Sequence, residues 1–299
     1  MLGLWPVFTV LAAAGQTARN AMQRELTASL GAAGATHVRF LFGFPFALIF
    51  FAIACATGTK IPVVSAGFCG WILAGALTQI IATALMLMAM TERSFVVTIA
   101  YLKTEPILVA LFGLIVLGDA LSLPASAAIM VATAGVFVMS FCPSHGGKMP
   151  AHTWRPIAMG LASAALFAIS VVAYRGAILS LHGASLAMTT SFSLMVVLGL
   201  QASLLSLYLH WRQPGVMAAI IGQWRPSLMA GFMGAAATQL WFFAFALTSA
   251  ANVRTLALIE VLFAQGATHF IFKQKTTARE AIGIVLIAVG CAALVWTET

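Results

Sequence analysis

Two glutamates stand inside long apolar stretches, where carboxyl groups are rare. Glu105 lies in the segment KTEPILVALFGLIVLGDAL (103–121), and Glu260 lies in the apolar run 251–272. A charged side chain at the centre of a membrane helix costs about 2.5–3.5 kcal/mol on insertion scales, so such residues usually face a cavity or a partner. Because burial disfavours the charged form of a carboxyl group, either glutamate could bind a proton or neutralise a cationic substrate group. The alternative is a structural contact with a neighbouring helix.

Other polar side chains lie at helical spacing around these glutamates. Thr98, Tyr101 and Glu105 are separated by three and four residues, which places them on one helix face. Such a face lines a cavity or packs on another helix rather than meeting lipid. Polar and aromatic positions in the apolar runs make up the candidate substrate-binding residues: Gln16, Asn20, Arg39, Gln79, Thr98, Tyr101, Tyr174, Gln239 and Trp241.

Three basic residues also lie inside apolar segments. Arg39 either holds a substrate carboxylate or is structural, with its guanidinium reaching lipid headgroups or a backbone carbonyl. Arg254 is open to the same two interpretations. Lys103 lies two residues from Glu105 and therefore points roughly the opposite way, toward a partner on another helix or an anionic substrate.

A proline next to one glutamate predicts a broken helix. Pro106 follows Glu105 and removes one backbone hydrogen-bond donor. A helix broken near the middle of the membrane suits a binding site or hinge, although a static kink has the same sequence signature. Val261 follows Glu260 instead, so we expect a break on one side only.

Membrane-spanning helices must position these residues, because the composition excludes a soluble globule. The chain has 299 residues, of which 62% are hydrophobic and 7% charged, whereas soluble domains carry roughly 25% charged residues. This composition excludes an ordinary cytosolic enzyme, a disordered protein and a disulfide scaffold. A membrane helix needs about 20 apolar residues. Ten candidate spans emerge: 2–22, 34–57, 65–90, 94–117, 122–142, 156–179, 185–208, 226–248, 251–272 and 279–297.

The connection 143–155 divides these spans into two halves of five, residues 1–142 and 156–299. The halves repeat in sequence, since Glu105 matches Glu260 and Gly135 matches Gly290 at a common offset of 155 residues. Because five is odd, the second half would enter the membrane from the opposite side, which gives an inverted-topology repeat. Chance similarity between apolar helices is the alternative.

Four sequence features resemble the EamA family of the drug/metabolite transporter superfamily: GATHVRFLFGFPFAL (34–48), AMTERS (89–94), the segment 103–121 and the helix around Gly135. The resemblance covers nearly the whole chain as two EamA repeats. It implies an all-α integral membrane protein with ten transmembrane helices in two inverted five-helix repeats, a central cavity and export of small metabolites. Many members of the family have Gly-Glu in the turn after the fourth span. Here Gly118-Asp119 and Lys273-Gln274 stand instead, so the second half has diverged.

We therefore expect a multi-pass transporter of the bacterial inner membrane that exports small metabolites, such as amino acids or related compounds, by alternating access. Proton antiport or the substrate gradient would drive it, with Glu105 and Glu260 as the proton- or cation-binding residues. The alternatives are a flippase of the same fold for lipid-linked cargo and a non-transporting membrane subunit. No nucleotide-binding, protease or lipase motif occurs in the chain. We expect no enzymatic activity, no catalytic residues, no cofactor, no metal site and no nucleic-acid partner.

Orientation and assembly stay open at this stage. Ten basic residues, Arg19 among them, fall on one predicted side of the membrane, and three, including Arg175 and Arg254, fall on the other. The positive-inside rule then places both termini outside the cell, whereas the family resemblance implies termini inside. The Gly- and Ala-bearing faces of the fifth and tenth spans predict either a homodimer contact or packing within the monomer.

Overall fold

A computed structural model describes residues 2–92, 101–140, 154–262 and 278–298, and this part of the chain is helical apart from turns and short connections. A 3-10 turn at Leu2–Leu4 precedes the first helix. The helices in chain order are α1 (Trp5–Leu41), α2 (Phe44–Ala56), α3 (Ala66–Glu92), α4 (Glu105–Leu117), α5 (Leu123–Ser140), α6 (Trp154–Leu179), α7 (Leu186–Arg212), α8 (Val216–Gly222), α9 (Trp224–Leu247), α10 (Ala250–Leu256) and α11 (Ala278–Glu298).

Many of these helices suit a membrane. Five helical segments in the described part are long and apolar enough to cross one: Trp5–Ala56, Ala66–Thr91, Trp154–Leu179, Leu186–Arg212 and Trp224–Leu247. Three shorter helices are also apolar: Glu105–Leu117, Leu123–Val138 and Ala281–Thr297. Large apolar side chains such as Ile53, Ile115 and Val285 are exposed on them, which suits contact with lipid chains. The chain is thus an all-α protein with helices fit for a membrane.

The long helix α1 contains most of the first predicted span and the start of the second. Gly31 interrupts it with a φ of +67°, a conformation that glycine adopts readily because it lacks a Cβ. The first helical segment therefore continues to Leu30 instead of ending at residue 22 as predicted. The second segment begins at residue 32 and is interrupted again by a turn at Phe42 and Gly43, before α2. The short helix α8 lies in the connection 209–225, where the sequence predicts no helix.

The helices of the two predicted halves pack in corresponding pairs. The first and third spans of one half are α1 and α3, and their counterparts in the other half are α6 and α9. α3 packs along α6, and α1 packs along α9. Because α1 corresponds to α6 and α3 corresponds to α9, these are the same contact made once from each half. Three further pairs join equivalent spans directly: α5 with α11, α2 with α7 and α4 with α10. α4 also packs on α6, which is not its equivalent.

Glycines allow a close approach between α5 and α11. A Cβ atom at Gly135 would lie 2.7 Å from the Gly283 carbonyl oxygen, and one at Gly290 would lie 2.8 Å from the Ala128 carbonyl oxygen. Real Cβ contacts do not occur at these distances, so both positions need glycine. The offset of 155 residues converts Gly135 to Gly290 and Ala128 to Gly283, so the two contacts are reciprocal. The small-residue faces of these helices therefore pack on each other within one chain.

Candidate functional site

Both glutamates lie where a helix is interrupted. Lys103 and Thr104 form a turn between a helical segment ending at residue 102 and α4, and the Thr104 amide donates to the Tyr101 carbonyl at 3.3 Å. α4 then begins with Glu105 and Pro106. In this way the proline stands in the first turn, where a missing donor costs least.

The second half is interrupted in the same place, contrary to the expectation of a one-sided break. α10 ends at Leu256, residues 257 and 258 form a turn, and helical backbone resumes at Ile259. The Leu258 amide donates to the Thr255 carbonyl at 3.0 Å, and the Glu260 amide donates to the Ala257 carbonyl at 3.1 Å. These bonds span three residues, as in a 3-10 helix. A helix can tighten in this way without a proline, and such stretches often mark hinges.

Four charged side chains form two ion pairs across the interrupted helices. Glu105 pairs with Arg254 at 2.5 Å between Oε2 and Nη2, and Glu260 pairs with Lys103. We call these four residues the paired cluster. All four side chains are at most about one-tenth exposed, so each ion has left water and depends on its partner. The predicted partner of Lys103 on another helix is therefore Glu260, and Arg254 is an ion-pair partner rather than a residue reaching for lipid headgroups.

The paired cluster borders a cavity between the two predicted halves. Its volume is about 50 Å³. On the same measure one enclosed water molecule needs roughly 10–15 Å³, so the cavity has room for more than one water molecule. Residues from both halves line it: Gln16, Arg19, Asn20, Arg39, Gln79, Met86, Leu102, Lys103, Glu105, Phe167, Val171, Tyr174, Thr238, Trp241, Phe242, Phe245, Arg254 and Glu260. Eight of the eleven candidate residues of the sequence analysis are among them: Gln16, Asn20, Arg39, Gln79, Glu105, Tyr174, Trp241 and Glu260.

Two arginines form the other charged wall of the cavity. Arg19 is 2% exposed and Arg39 is 3% exposed. A Cβ atom at Gly234 would lie 3.3 Å from Arg19 Cδ and 3.3 Å from Arg39 Cγ, so both side-chain stems lie against the same point of α9. We call Arg19 and Arg39 the arginine pair. The prediction that Arg19 lies at a membrane surface is therefore wrong, because the first helix continues past residue 22 and Arg19 is buried within it.

Neutral hydrogen bonds organise a third wall around Tyr174. Its hydroxyl oxygen lies 2.9 Å from both the Gln79 side-chain oxygen and the Gly75 carbonyl oxygen, so its single hydrogen is donated to one of them or shared between them. Gln201 donates to the same Gln79 oxygen at 3.0 Å and to the Tyr174 hydroxyl at 3.1 Å. These bonds connect α3, α6 and α7. Sequence reasoning missed Gln201, although an amide inside the apolar span 185–208 was a usable signal.

Trp241 connects the aromatic side of the cavity to the charged side. Its indole Nε1 donates to the Gln16 side-chain oxygen at 3.2 Å, and the Arg254 guanidinium carbon lies 4.8 Å from its ring centroid. A cation over an indole face is attracted by the ring's quadrupole. The Thr17 hydroxyl donates to Glu260 at 3.3 Å. The first span thus contacts both the aromatic wall and the paired cluster.

Two predicted substrate-binding residues do not line the cavity, and a third lies outside the described residues. Gln239 donates to the Thr190 hydroxyl at 3.0 Å and joins α9 to α7; it is two residues from Trp241, so the two cannot share a helix face. Tyr101 packs instead against Gly160, because the turn at 103–104 rotates it away from Glu105. Thr98 is the residue outside the described ranges.

An additional ion pair lies beside the turn that follows α4. Arg175 bonds Asp119 at 2.7 and 3.1 Å and also donates to the Phe245 and Thr248 carbonyls at the end of α9. These contacts join α6, α9 and the turn at Gly118. Removing the buried Arg19 and Arg254 from the two counts of basic residues leaves the predicted orientation unchanged. Within the described ranges, no group of His, Cys, Asp and Glu could hold a metal ion.

Comparison with known proteins gives a likeness in fold only. No protein-family model matches the chain, and no curated protein matches it in sequence. One solved structure, described only as "Crystal structure of protein", superposes with a TM-score of 0.65 at 16% sequence identity. The match covers 96% of this chain and 95% of the other. At this identity the likeness shows a shared fold over the full length and carries no function.

Proposed function

We propose that the chain is a secondary transporter of the bacterial inner membrane. It would export small metabolites by alternating access. The observation that carries this proposal is the cavity lined by charged, polar and aromatic side chains from both predicted halves. A few polar groups among apolar and aromatic walls are typical of small-molecule sites. A cavity at the interface of two repeats, beside interrupted helices, is typical of transporters.

We also propose that the chain forms ten spans in two inverted EamA-type repeats. The exchangeable packing pairs support this arrangement, since α3 on α6 and α1 on α9 are equivalent contacts under exchange of the halves. The reciprocal contacts of Gly135 and Gly290 support it further, because they obey the same sequence offset as the two glutamates. Two similar units with a two-fold relation make contacts of this reciprocal kind.

The paired cluster suggests how transport and helix movement are linked. A proton bound by Glu105 or Glu260 would neutralise the carboxylate and release its cationic partner. Because both ion pairs join the two predicted halves, that release would loosen the contact between α4 and the helix after α10. Proton antiport is one driving force in this scheme and the substrate gradient alone is the other. Transport by purified protein with and without a pH gradient distinguishes them.

The first experiment compares the metabolites excreted by cells with and without the protein. A matched pair of variants controls for the fold: Trp241→Ala removes a cavity wall, whereas Trp211→Ala alters an exposed side chain on α7. We expect a small set of metabolites to appear outside cells with the wild type or Trp211→Ala, and to fall at least about tenfold with Trp241→Ala. An identical excreted set with and without the protein would overturn the transport proposal. Movement of labelled lipid in liposomes, without metabolite export, would favour the flippase.

A further inference from the structure

We propose that the cavity selects small organic anions with up to two negative charges, which bind between Arg19 and Arg39. This inference rests on the transport function proposed above and names its substrate class. Its starting point is the charge of the cavity lining. Four cationic side chains (Arg19, Arg39, Lys103 and Arg254) face two carboxylates (Glu105 and Glu260), so the lining has an excess of two positive charges.

The carboxylates are engaged elsewhere, so the excess lies on the arginine pair. Arg254 and Lys103 hold Glu105 and Glu260. Arg19 donates to the side-chain oxygen of its neighbour Asn20 at 2.8 and 3.3 Å, and Arg39 donates to the Thr83 hydroxyl at 3.4 Å. Both partners are neutral. In the described part of the chain, Arg19 Nη1 and Arg39 Nε are buried without a hydrogen-bond acceptor.

A buried cation with only neutral partners is costly, and a bound anion removes that cost. Isolated ions in a low dielectric are unfavourable unless they are paired and hydrogen-bonded. The guanidinium group offers parallel N–H donors that match the two oxygens of a carboxylate or phosphate. Because both stems lie against Gly234, the two guanidinium groups can approach one ligand from the same wall.

The charge balance ranks ligand classes. A dicarboxylate or a phosphate monoester compensates both excess charges, a monoanion compensates one, and a zwitterion adds no net charge. A cationic metabolite adds to the excess and is repelled. Phe167, Phe242 and Trp241 also line the cavity, and they offer apolar contact to a short carbon skeleton. Because Arg19 and Arg39 are only 2% and 3% exposed, we assign the anion to a small soluble molecule rather than to a lipid headgroup.

Thermal unfolding of the detergent-purified full chain tests the assignment, and it needs no transport assay. The probes are succinate, inorganic phosphate, L-alanine and L-lysine, in a buffer without multivalent anions. A ligand that binds only the folded state raises the unfolding temperature with its concentration. We expect succinate and phosphate to raise it, L-alanine to have little effect and L-lysine to have none. A short-chain phosphatidylglycerol is tested in the same way, with the matching phosphatidylcholine as its control, to learn whether an anionic lipid headgroup binds instead of a soluble anion.

Variants locate the binding. Arg39→Gln should weaken the apparent affinity for succinate or phosphate roughly 10- to 100-fold, the range for losing one charged hydrogen-bonding partner. Arg39→Lys keeps the charge without the planar fork and should lose less. Arg212→Gln is the matched control because Arg212 is exposed at the end of α7, and it should bind as the wild type does.

Each other result overturns the assignment. It fails if no soluble anion stabilises the wild type, if L-alanine or L-lysine stabilises it as much, or if Arg39→Gln and Arg212→Gln bind alike. Stabilisation by phosphatidylglycerol alone would assign the arginine pair to a lipid headgroup. If a variant does not fold, the order in which the probes raise the unfolding temperature of the wild type still tests the assignment. Excretion of neutral or cationic metabolites that depends on the protein would leave the transport proposal intact while removing the anion assignment.

Discussion

The paired cluster and the arginine pair lie in one cavity, but their charges are balanced in different ways. In the paired cluster each carboxylate meets a cation from the other predicted half, so these charges hold the helices together. The arginine pair has only neutral partners among the described side chains. Charges that the protein balances itself serve the fold, whereas charges that it leaves unbalanced in the cavity lining are available to a ligand. Substitutions should therefore affect the two groups in opposite ways.

The largest effect should follow from breaking one ion pair of the paired cluster. Glu105→Gln leaves Arg254 buried without its carboxylate, and we expect a loss of about 3–5 kcal/mol in unfolding free energy, the usual cost of stranding one buried partner. Thermal or denaturant unfolding in detergent measures it. The double variant Glu105→Gln with Arg254→Gln should recover much of the loss because neither charge remains. Wild-type stability of the single variant would contradict the structural role of the pair.

Breaking the neutral hydrogen bonds around Tyr174 should cause an intermediate loss of unfolding free energy. Tyr174→Phe removes the hydroxyl that bonds Gln79 and Gly75 and accepts from Gln201. We expect a loss of about 1–3 kcal/mol, since buried amide groups lose a partner. Tyr208→Phe is the control, because Tyr208 is 52% exposed. If Tyr174→Phe cost more than Glu105→Gln, the ranking of charged over neutral contacts would be wrong.

Removing a member of the arginine pair should act in the other direction. Arg39→Gln deletes a buried charge that has no carboxylate partner in the described structure, so the unliganded protein should keep its stability or gain about 1 kcal/mol. The export that we propose should nevertheless be lost. Unfolding is measured in detergent as for Glu105→Gln, and export is measured in cells. A loss of stability as large as that of Glu105→Gln would show that Arg39 has a structural partner.

The smallest effect should come from the glycine between the two arginine stems. Gly234→Ala places a Cβ 3.3 Å from both stems, so the side chains must shift by a few tenths of an ångström. We expect less than about 1 kcal/mol in stability and a few-fold weaker anion binding. Gly70→Ala is the control, because nothing lies within 4 Å of a Cβ there. Unchanged binding in Gly234→Ala would place the ligand away from the arginine pair.

Much of the fold could be predicted from composition alone, because apolar runs of about 20 residues have few alternatives to membrane helices. The two glutamates could also be singled out, since a carboxyl group in such a run is costly. Their partners could not, because pairing of residues 149 or more positions apart in sequence depends on tertiary packing. The position of Glu260 beside a cavity is predicted only from its equivalence to Glu105 in the sequence repeat, because no motif around Glu260 itself indicates a cavity.

The missed features have local causes. The sequence predicts that the first helix ends at residue 22, but the helix continues to Leu30, and Arg19 lies in a buried wall instead of at a membrane surface. The turn after residue 102 rotates Tyr101 out of the face that it would share with Glu105 in an unbroken helix. The break at residues 257–258 has no proline that would predict it from the sequence. It arises from hydrogen bonds that span three residues instead of four, and not from a missing backbone donor.

Arg175 joins the turn after α4 to the end of α9. Its guanidinium makes four hydrogen bonds, two to Asp119 and two to carbonyls at the end of α9, out of five N–H donors in all. Two of these acceptors are main-chain atoms, so no substitution of Phe245 or Thr248 removes them. In the proposed transporter, a solute near Arg175 would therefore find at most one free donor on it, and selection of the substrate would depend on the residues that line the cavity.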